Sequence, residues 1–422
     1  MEKLIINGKC NLGGEISIHG SKNSALPILA ASVLINGVST VHNCPDLSDI
    51  NVTIEILRHL GAKVSRQGST LVIDSTDINN SFIPENMMQE MRSSIIFLGS
   101  LSARTGNACL FLPGGCDIGL RPIDLHLKSL EQLGYEITFD GHNICSKKSD
   151  VHPQKIILPI PSVGATENII LASVLIKGKT TILNSACEPE IKDLADFLNK
   201  AGANIQGAGT SNIVIDGVSR LYSTEHTVIP DRILAATMMS ASAITSSPIK
   251  INNISPTHLM PVFPVFDEMG CKIYLEKNAL TIKPPSRLHR VKRIQTKPYP
   301  GFPTDCQAPV MASLTVARGT SVIIENIFEN RFKHISRLNR FGADVIVNNQ
   351  TAVINGVKSL HSADVSCTDL RGGAAIVLAA LAAEGRSQIT DIHHIDRGYE
   401  KIENQLSSIG ADIKRINDEK AE

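Results

Sequence analysis

The sequence contains no tryptophan, and aromatic residues make up only 4% of it. A core must therefore be filled by Leu, Ile, Val and Ala, within a hydrophobic content of 42% and a mean hydropathy of +0.05 that describe an ordinary globular chain of 422 residues. Net charge is also missing: 41 basic residues balance 41 acidic ones. That excludes a broad basic face for nucleic acid but leaves local cationic clusters open. No apolar run is long enough for a membrane span. The strongest, "GGAAIVLAALAAEG", reaches about half of the ~20 residues required, so no membrane insertion is expected. The opening "MEKLIINGKCNLGGEI" lacks a charged leader followed by an apolar core, and no secretory signal is expected. Nine cysteines include no C-x-x-C pair, which argues against a disulfide framework or a zinc site. A reducing cytoplasm is the expected setting. No metal and no cofactor are expected.

Familiar motifs are absent too. "HGSKNSALP" has Gly-Ser-Lys without the P-loop spacing, and no G-x-G-x-x-G follows a strand. There is no G-x-S-x-G elbow and no H-E-x-x-H. Common ATPase, dehydrogenase and hydrolase chemistries are thereby excluded.

What the chain does have is repetition. "ILRHLGAKV", "SLEQLGYEI", "FLNKAGANI", "VFDEMGCKI", "RLNRFGADV" and "QLSSIGADI" each end an amphipathic helix at a glycine and start a strand. Gly61, Gly134, Gly202, Gly270, Gly342 and Gly410 recur about every 70 residues, so six units fill the chain. Glycine is the residue that takes the left-handed conformation ending a helix. Each unit reads as strands, helix, strands, an α/β arrangement too long for common solenoids. Three units per half give two lobes, joined near "TEHTVIPDRILAA" around Pro230, with a cleft between them as the expected ligand site.

Three loops could carry chemistry. In "HGSKNSALPIL", Lys22 and Asn23 stand between a strand and a helix; a solvated lysine beside a capping residue is the plain alternative. In "LPGGCDIGLRP", Gly114, Gly115 and Gly119 make a loop able to move, with Cys116 at its tip and Arg121 nearby. A thiol there suits a proton donor or a nucleophile, although cysteine is also a common small core residue. In "PYPGFPTDCQAP", Asp305 is either a general base or the N-cap of the following helix. Arg92, Arg331, Arg371 and Arg397 sit beside turns or helix ends; singly they read as surface charges, together as a grip for a multiply charged anion.

With these loops, "PSVGATENIILASVLIKGKTTILNSACEPEI" and "HIDRGYEKIENQLSSIGA" complete a set that resembles the enolpyruvyl transferase family, in its UDP-N-acetylglucosamine branch. The resemblance runs from the first strand to the last helix. It implies a two-lobed inside-out α/β barrel of six similar strand–helix–strand units, three per lobe. One lobe would comprise residues 1–21 and 230–422, the other residues 22–229. The implied reaction moves the enolpyruvyl group of phosphoenolpyruvate to the 3′-hydroxyl of UDP-N-acetylglucosamine and releases phosphate, by addition then elimination. It is the first committed step of peptidoglycan synthesis, and hence of cell-wall growth and division. The sister transferase acting on shikimate 3-phosphate and a non-catalytic nucleotide-sugar-binding paralogue are the alternatives.

The resemblance also implies roles. Cys116 is the proton donor and the residue attacked by fosfomycin, and Asp305 takes the hydroxyl proton. Lys22, Arg121 and Arg397 hold the phosphate of phosphoenolpyruvate, with Arg92, Arg331 and Arg371 completing the cationic site. Asn23 touches the sugar, and Arg121, Pro122, Ile123, Asp124 and Leu125 cover the uridine. Ser162, Val163, Gly164 and Ile327 make further nucleotide-sugar contacts. One departure is Ile160, where some members carry a lysine. The expected partners are these two small molecules alone, and the chain is expected to be a monomer or weak homo-oligomer.

Overall fold

A computed structural model describes residues 2–90, 92–112 and 123–417. It contains six four-stranded sheets, all built to one plan. In one unit the strand Lys155–Ile157 leads to the helix Val163–Ser173, the strand Gly178–Leu183, the helix Pro189–Lys200 and the hairpin Asn204–Gln206/Asn212–Gly217. Lys155 lies opposite Thr181 in a parallel pair, and the hairpin adds antiparallel, Gly178 opposite Gly217 and Asn204 opposite Asp216. A second helix per unit is thus added to the strands–helix–strands reading, which places such a helix only after Lys22 and after Asp305. It escapes a periodicity search because it is apolar all round: every residue from Ala165 to Ser173, or from Arg371 to Leu381 in the helix Leu370–Ala382, is buried.

The other helix of each unit is amphipathic and stops at the repeated glycine. Gly61, Gly134, Gly202, Gly270, Gly342 and Gly410 all have φ between 83° and 106°. At Gly134 a Cβ would also fall 1.9 Å from the carbonyl oxygen of Asp150. Any side chain there is excluded twice, by conformation and by space.

The fold divides into two compact units: residues 2–19 with 230–417, and residues 20–229 with those between 112 and 123 set aside. Each has its own apolar core. In the first, the buried helices Arg232–Ile244, Gln307–Leu314 and Leu370–Ala382 pack against one another; in the second, Phe97–Thr105 packs on Val163–Ser173 and Lys22–Ser32.

The units do not follow the linear repeat. The strand Glu15–Ser17 pairs with Ile249–Asn252, while the helix that follows it in sequence belongs to the second unit. Conversely, Thr224–Thr227 pairs with Val38–His42, and the chain then returns to the first unit at Pro230. Two repeats therefore exchange their first strands. The N-terminal strand Glu2–Asn7 closes the last repeat's sheet between Arg386–Thr390 and Asp412–Asn417.

Cys109 and Cys145 face each other in the antiparallel pair Asn107–Phe111/Asn143–Lys148 and are joined as a disulfide. The expectation of no disulfide framework did not foresee this pair, because strand register rather than sequence spacing brings the two together. Among the described residues no helix is long and apolar enough to cross a membrane.

Candidate active site

Several of the expected site residues stand at equivalent places in different repeats, the entry to the buried helix of a unit. Lys22 begins the helix Lys22–Ser32, Arg92 begins the 3-10 turn before Phe97–Thr105, and Ser162 caps Val163–Ser173. Asp305 occupies the turn Thr304–Cys306 before Gln307–Leu314, and Arg371 opens Leu370–Ala382. The remaining unit puts Arg232 there, buried, with its guanidinium 5.4 Å from the Tyr299 ring centre. Sequence reasoning missed Arg232; aligning the repeats on their apolar helices instead of their glycines brings it into register.

In the first unit a carboxylate is gripped by cations. Asp305 Oδ1 accepts from Arg331 Nη2 at 2.6 Å, and Oδ2 accepts from Arg371 Nη2 at 3.2 Å. Both arginines are almost fully buried, at 5% and 3% side-chain exposure, whereas Asp305 keeps 25%. The pair is thus desolvated behind a carboxylate that solvent or substrate can reach, which strengthens each charge-assisted bond. The Arg371 guanidinium lies 5.3 Å from the Tyr399 ring centre. Burial alone would lower its pKa, but the oxygens of Tyr399, Asp305 and Asp231 outweigh that and hold it above its ordinary value. Asp369 caps this helix, accepting from the N–H groups of Arg371 (3.1 Å) and Gly372 (2.9 Å), and so fixes where Arg371 starts. Beside Asp305, the Cys306 thiol is pushed up to about 12 by burial and stays protonated. Arg397 is half-buried two residues before Tyr399, and Ile327 is half-buried four residues before Arg331.

In the second unit the polarity is reversed. The Lys22 ammonium meets the Asp49 carboxylate at 2.6 Å, with side-chain exposures of 8% and 4%. Asp49 lies in the first turn of Ser48–His59, so two helix starts are tied by one buried ion pair. Asn23 is half-buried beside Lys22. Ser24 donates to the buried Asp193, which also accepts from the Ile229 N–H at 3.2 Å and faces His226 Nε2 at 2.8 Å. The helix carrying Lys22 and Asn23 is thereby fastened to the returning chain.

Ser162 Oγ accepts from the Ala165 N–H at 3.4 Å, and Val163 and Gly164 form the first turn above it. A Cβ on Gly164 would lie 2.9 Å from His126 Cε1, so only glycine admits this ring. Asn168 fixes the ring's tautomer. Its Oδ1 accepts from the Gly99 N–H (2.8 Å) and its Nδ2 donates to the Ile95 carbonyl (3.1 Å) and to His126 Nδ1 (2.7 Å), which leaves the His126 proton on Nε2. His126 was not among the expected contacts; a lone polar residue on a buried helix face was the available signal. Ile123 precedes the helix Asp124–Gln132, where Asp124 pairs with Lys128 at 3.5 Å and Leu125 is half-buried. Glu167 is buried near Glu190 and Glu188, and burial followed by their charge raises its pKa well above the usual carboxylate range. Ile160 is 61% exposed.

Cys116, Arg121 and Pro122 lie outside the described residues, as does the side chain of Arg92. The remaining expected residues divide between the units: Asp305, Ile327, Arg331, Arg371 and Arg397 in the first, Lys22, Asn23, Ile123, Asp124, Leu125, Ser162, Val163 and Gly164 in the second.

Residues 6–406 match the family described as EPSP synthase (3-phosphoshikimate 1-carboxyvinyltransferase). A protein of Caldanaerobacter subterraneus named UDP-N-acetylglucosamine 1-carboxyvinyltransferase 2 is 50% identical over 99% of this chain and all of its own length. The chain belongs to the enolpyruvyl transferase family. Another of these transferases, the UDP-N-acetylglucosamine 1-carboxyvinyltransferase of Geobacter metallireducens, is 47% identical over 99% of this chain and all of its own. The crystal structure of the enolpyruvyl transferase NikO from Streptomyces tendae superposes with a TM-score of 0.90 at 26% identity, covering 98% of each chain. An EPSP synthase structure from Acinetobacter baumannii shares the fold at a TM-score of 0.73 and 17% identity.

Proposed function

We propose that this enolpyruvyl transferase moves the enolpyruvyl group of phosphoenolpyruvate to the 3′-hydroxyl of UDP-N-acetylglucosamine, releasing phosphate, in the cytoplasmic phase of peptidoglycan synthesis. The observation that carries the reading is Asp305, a reachable carboxylate braced by two buried guanidiniums at 2.6 and 3.2 Å. Deprotonating a sugar hydroxyl beside a multiply charged anion needs a base and fixed cations together. The names of relatives at 44–50% identity, each naming this acceptor, support the choice of nucleotide sugar over shikimate 3-phosphate.

In this reading Asp305 takes the proton of the 3′-hydroxyl as its oxygen attacks carbon 2 of the enol, while Cys116 delivers a proton to carbon 3. Lys22, Arg92, Arg121, Arg331, Arg371 and Arg397 neutralise the phosphate and carboxylate of the tetrahedral adduct. The Cys116 thiolate then takes a proton back from carbon 3, the carbon–oxygen bond to phosphate breaks as the double bond re-forms, and the phosphate leaves with the proton that Asp305 had taken. Asn23, Ile123, Asp124, Leu125, Pro122, Ser162, Val163, Gly164 and Ile327 orient the nucleotide sugar. Ile160 leaves the diphosphate without the lysine that some relatives carry, so its grip falls to backbone N–H groups.

The test is phosphate release from phosphoenolpyruvate with and without UDP-N-acetylglucosamine, before and after fosfomycin. Release that requires the nucleotide sugar and stops on alkylation of Cys116 is the expected result. Release with shikimate 3-phosphate instead, or sugar binding without any release, overturns it.

A further inference from the structure

Glu325 is fully buried, with 0% exposure, and no cation pairs with it among the described residues. It is nonetheless saturated by neutral donors. Its Oε1 accepts from the Thr296 hydroxyl at 2.8 Å, the Ile327 N–H at 2.9 Å and the Phe328 N–H at 3.1 Å. Its Oε2 accepts from the Thr304 hydroxyl at 3.0 Å. Thr296 in turn accepts from the Asn326 N–H at 2.8 Å through the same hydroxyl.

A buried carboxylate without a counter-charge is costly, and an apolar residue of similar size would fill the same space at less cost. What an apolar residue could not do is accept four hydrogen bonds from three separate segments. Two of those segments carry the proposed base and one sugar contact. Thr304 immediately precedes Asp305, Ile327 is itself a proposed contact, and the loop beyond Phe328 leads to Arg331, which grips Asp305 at 2.6 Å. Both ends of the Asp305–Arg331 bond are therefore referenced to one carboxylate.

We propose that Glu325 is a positioning residue for the transfer reaction: through Thr304 it sets the Asp305 carboxylate against the attacking hydroxyl, and through the Ile327 and Phe328 N–H groups it sets the loop that meets the nucleotide sugar. This rests on the reading given under Proposed function. The two oxygens divide the labour, and that division is testable. Thr304→Val removes the Oε2 bond alone, so turnover falls while KM for UDP-N-acetylglucosamine holds. Glu325→Ala removes all four bonds, so turnover falls and KM rises several-fold. A displacement on the ångström scale costs a reaction of this kind about 10²-fold in rate. Glu325→Gln keeps Oε1 for its three donors, and its new amide can donate to the Thr304 hydroxyl, so most of the turnover returns.

The experiment is steady-state phosphate release by the full chain and the three variants, normalised to folded protein, with amide hydrogen exchange followed over residues 325–331. The kcat-only loss in Thr304→Val, the combined loss in Glu325→Ala, rescue by Glu325→Gln and faster exchange in Glu325→Ala alone are expected. Equal kcat per folded molecule in all variants, with only lowered melting points, reduces Glu325 to a structural role and overturns the proposal. Should Glu325→Ala fail to fold, Thr304→Val and Glu325→Gln still decide it. If the wild-type chain itself releases no phosphate, the functional reading fails; faster exchange at Ile327 and Phe328 would then still show the network without the reaction.

Discussion

Lys22 and Asp305 stand at equivalent places in two repeats, yet their surroundings are inverted. At the entry to Gln307–Leu314 a single carboxylate is shared by two buried arginines and keeps 25% exposure. At the entry to Lys22–Ser32 the ammonium of Lys22 faces the Asp49 carboxylate and is almost wholly enclosed. The backbone device is the same, so the difference lies in what the neighbouring element supplies. A carboxylate pinned from behind but open in front can exchange a proton with a ligand. A cation sealed against its own counter-ion must first be released or shared, so its first duty in the unliganded chain is structural. One repeated scaffold thus yields a partly exposed charge and an enclosed one.

The comparison breaks most sharply at Asp305. Asp305→Asn keeps an oxygen acceptor for one arginine and removes the proposed base, so turnover should fall by about 10²–10⁴-fold while UDP-N-acetylglucosamine still binds. Calorimetric titration alongside phosphate release separates the two effects. A loss confined to affinity would mean that Asp305 is a ligand contact and not the base. At Lys22 the larger consequence should be thermodynamic. Lys22→Met removes the buried cation that faces Asp49, at a cost of about 3–5 kcal/mol, and the double variant Lys22→Met/Asp49→Leu should recover most of it. Urea unfolding of the three proteins checks this, and equal stability of the single and double variants would show that Asp49 finds another donor.

The repeats were legible because their signals are local. A glycine that must be left-handed, at φ 83–106° in all six units, can be read from a helix–glycine–strand string alone. The strand exchange was not, since Glu15–Ser17 meets Ile249–Asn252 across most of the chain, and a three-residue strand carries no mark of its partner. Helices such as Leu370–Ala382 lacked a 3.6-residue pattern because they have no wet face. At the site, the residue types that can do chemistry could be named from loops and resemblance, Asp305 and Lys22 among them. Their holders could not: Asp49, Glu325 and the Asn168–His126 pair act across elements whose packing no short motif records.

A smaller effect tests how dry the support behind Asp305 is. His334, three residues beyond Arg331, is fully buried, and a Cβ on Gly372, next to Arg371, would sit 2.7 Å from its own Cβ. Burial lowers its pKa from 6.5 to about 4, the nearby Asp369 opposing the shift and Arg331 adding to it. The ring is therefore neutral in the folded chain at neutral pH. Below pH 6.5 the unfolded chain takes up a proton that the folded chain refuses, so stability is complete above that point and drains away until about pH 4. The loss approaches ~3 kcal/mol at its limit. Asp369 faces the same ring and does not titrate independently of it: burial raises its pKa, but His334, the Gly372 N–H, Arg331 and Thr368 together outweigh that and lower it, so its share is lost only below the ordinary carboxylate value of 3.8. His334→Leu should flatten the limb between pH 6.5 and 4, as urea midpoints at pH 7, 5 and 4 will show. An unchanged slope would mean that water reaches the ring, and that the arginines behind Asp305 are less desolvated than their exposure of 5% and 3% implies.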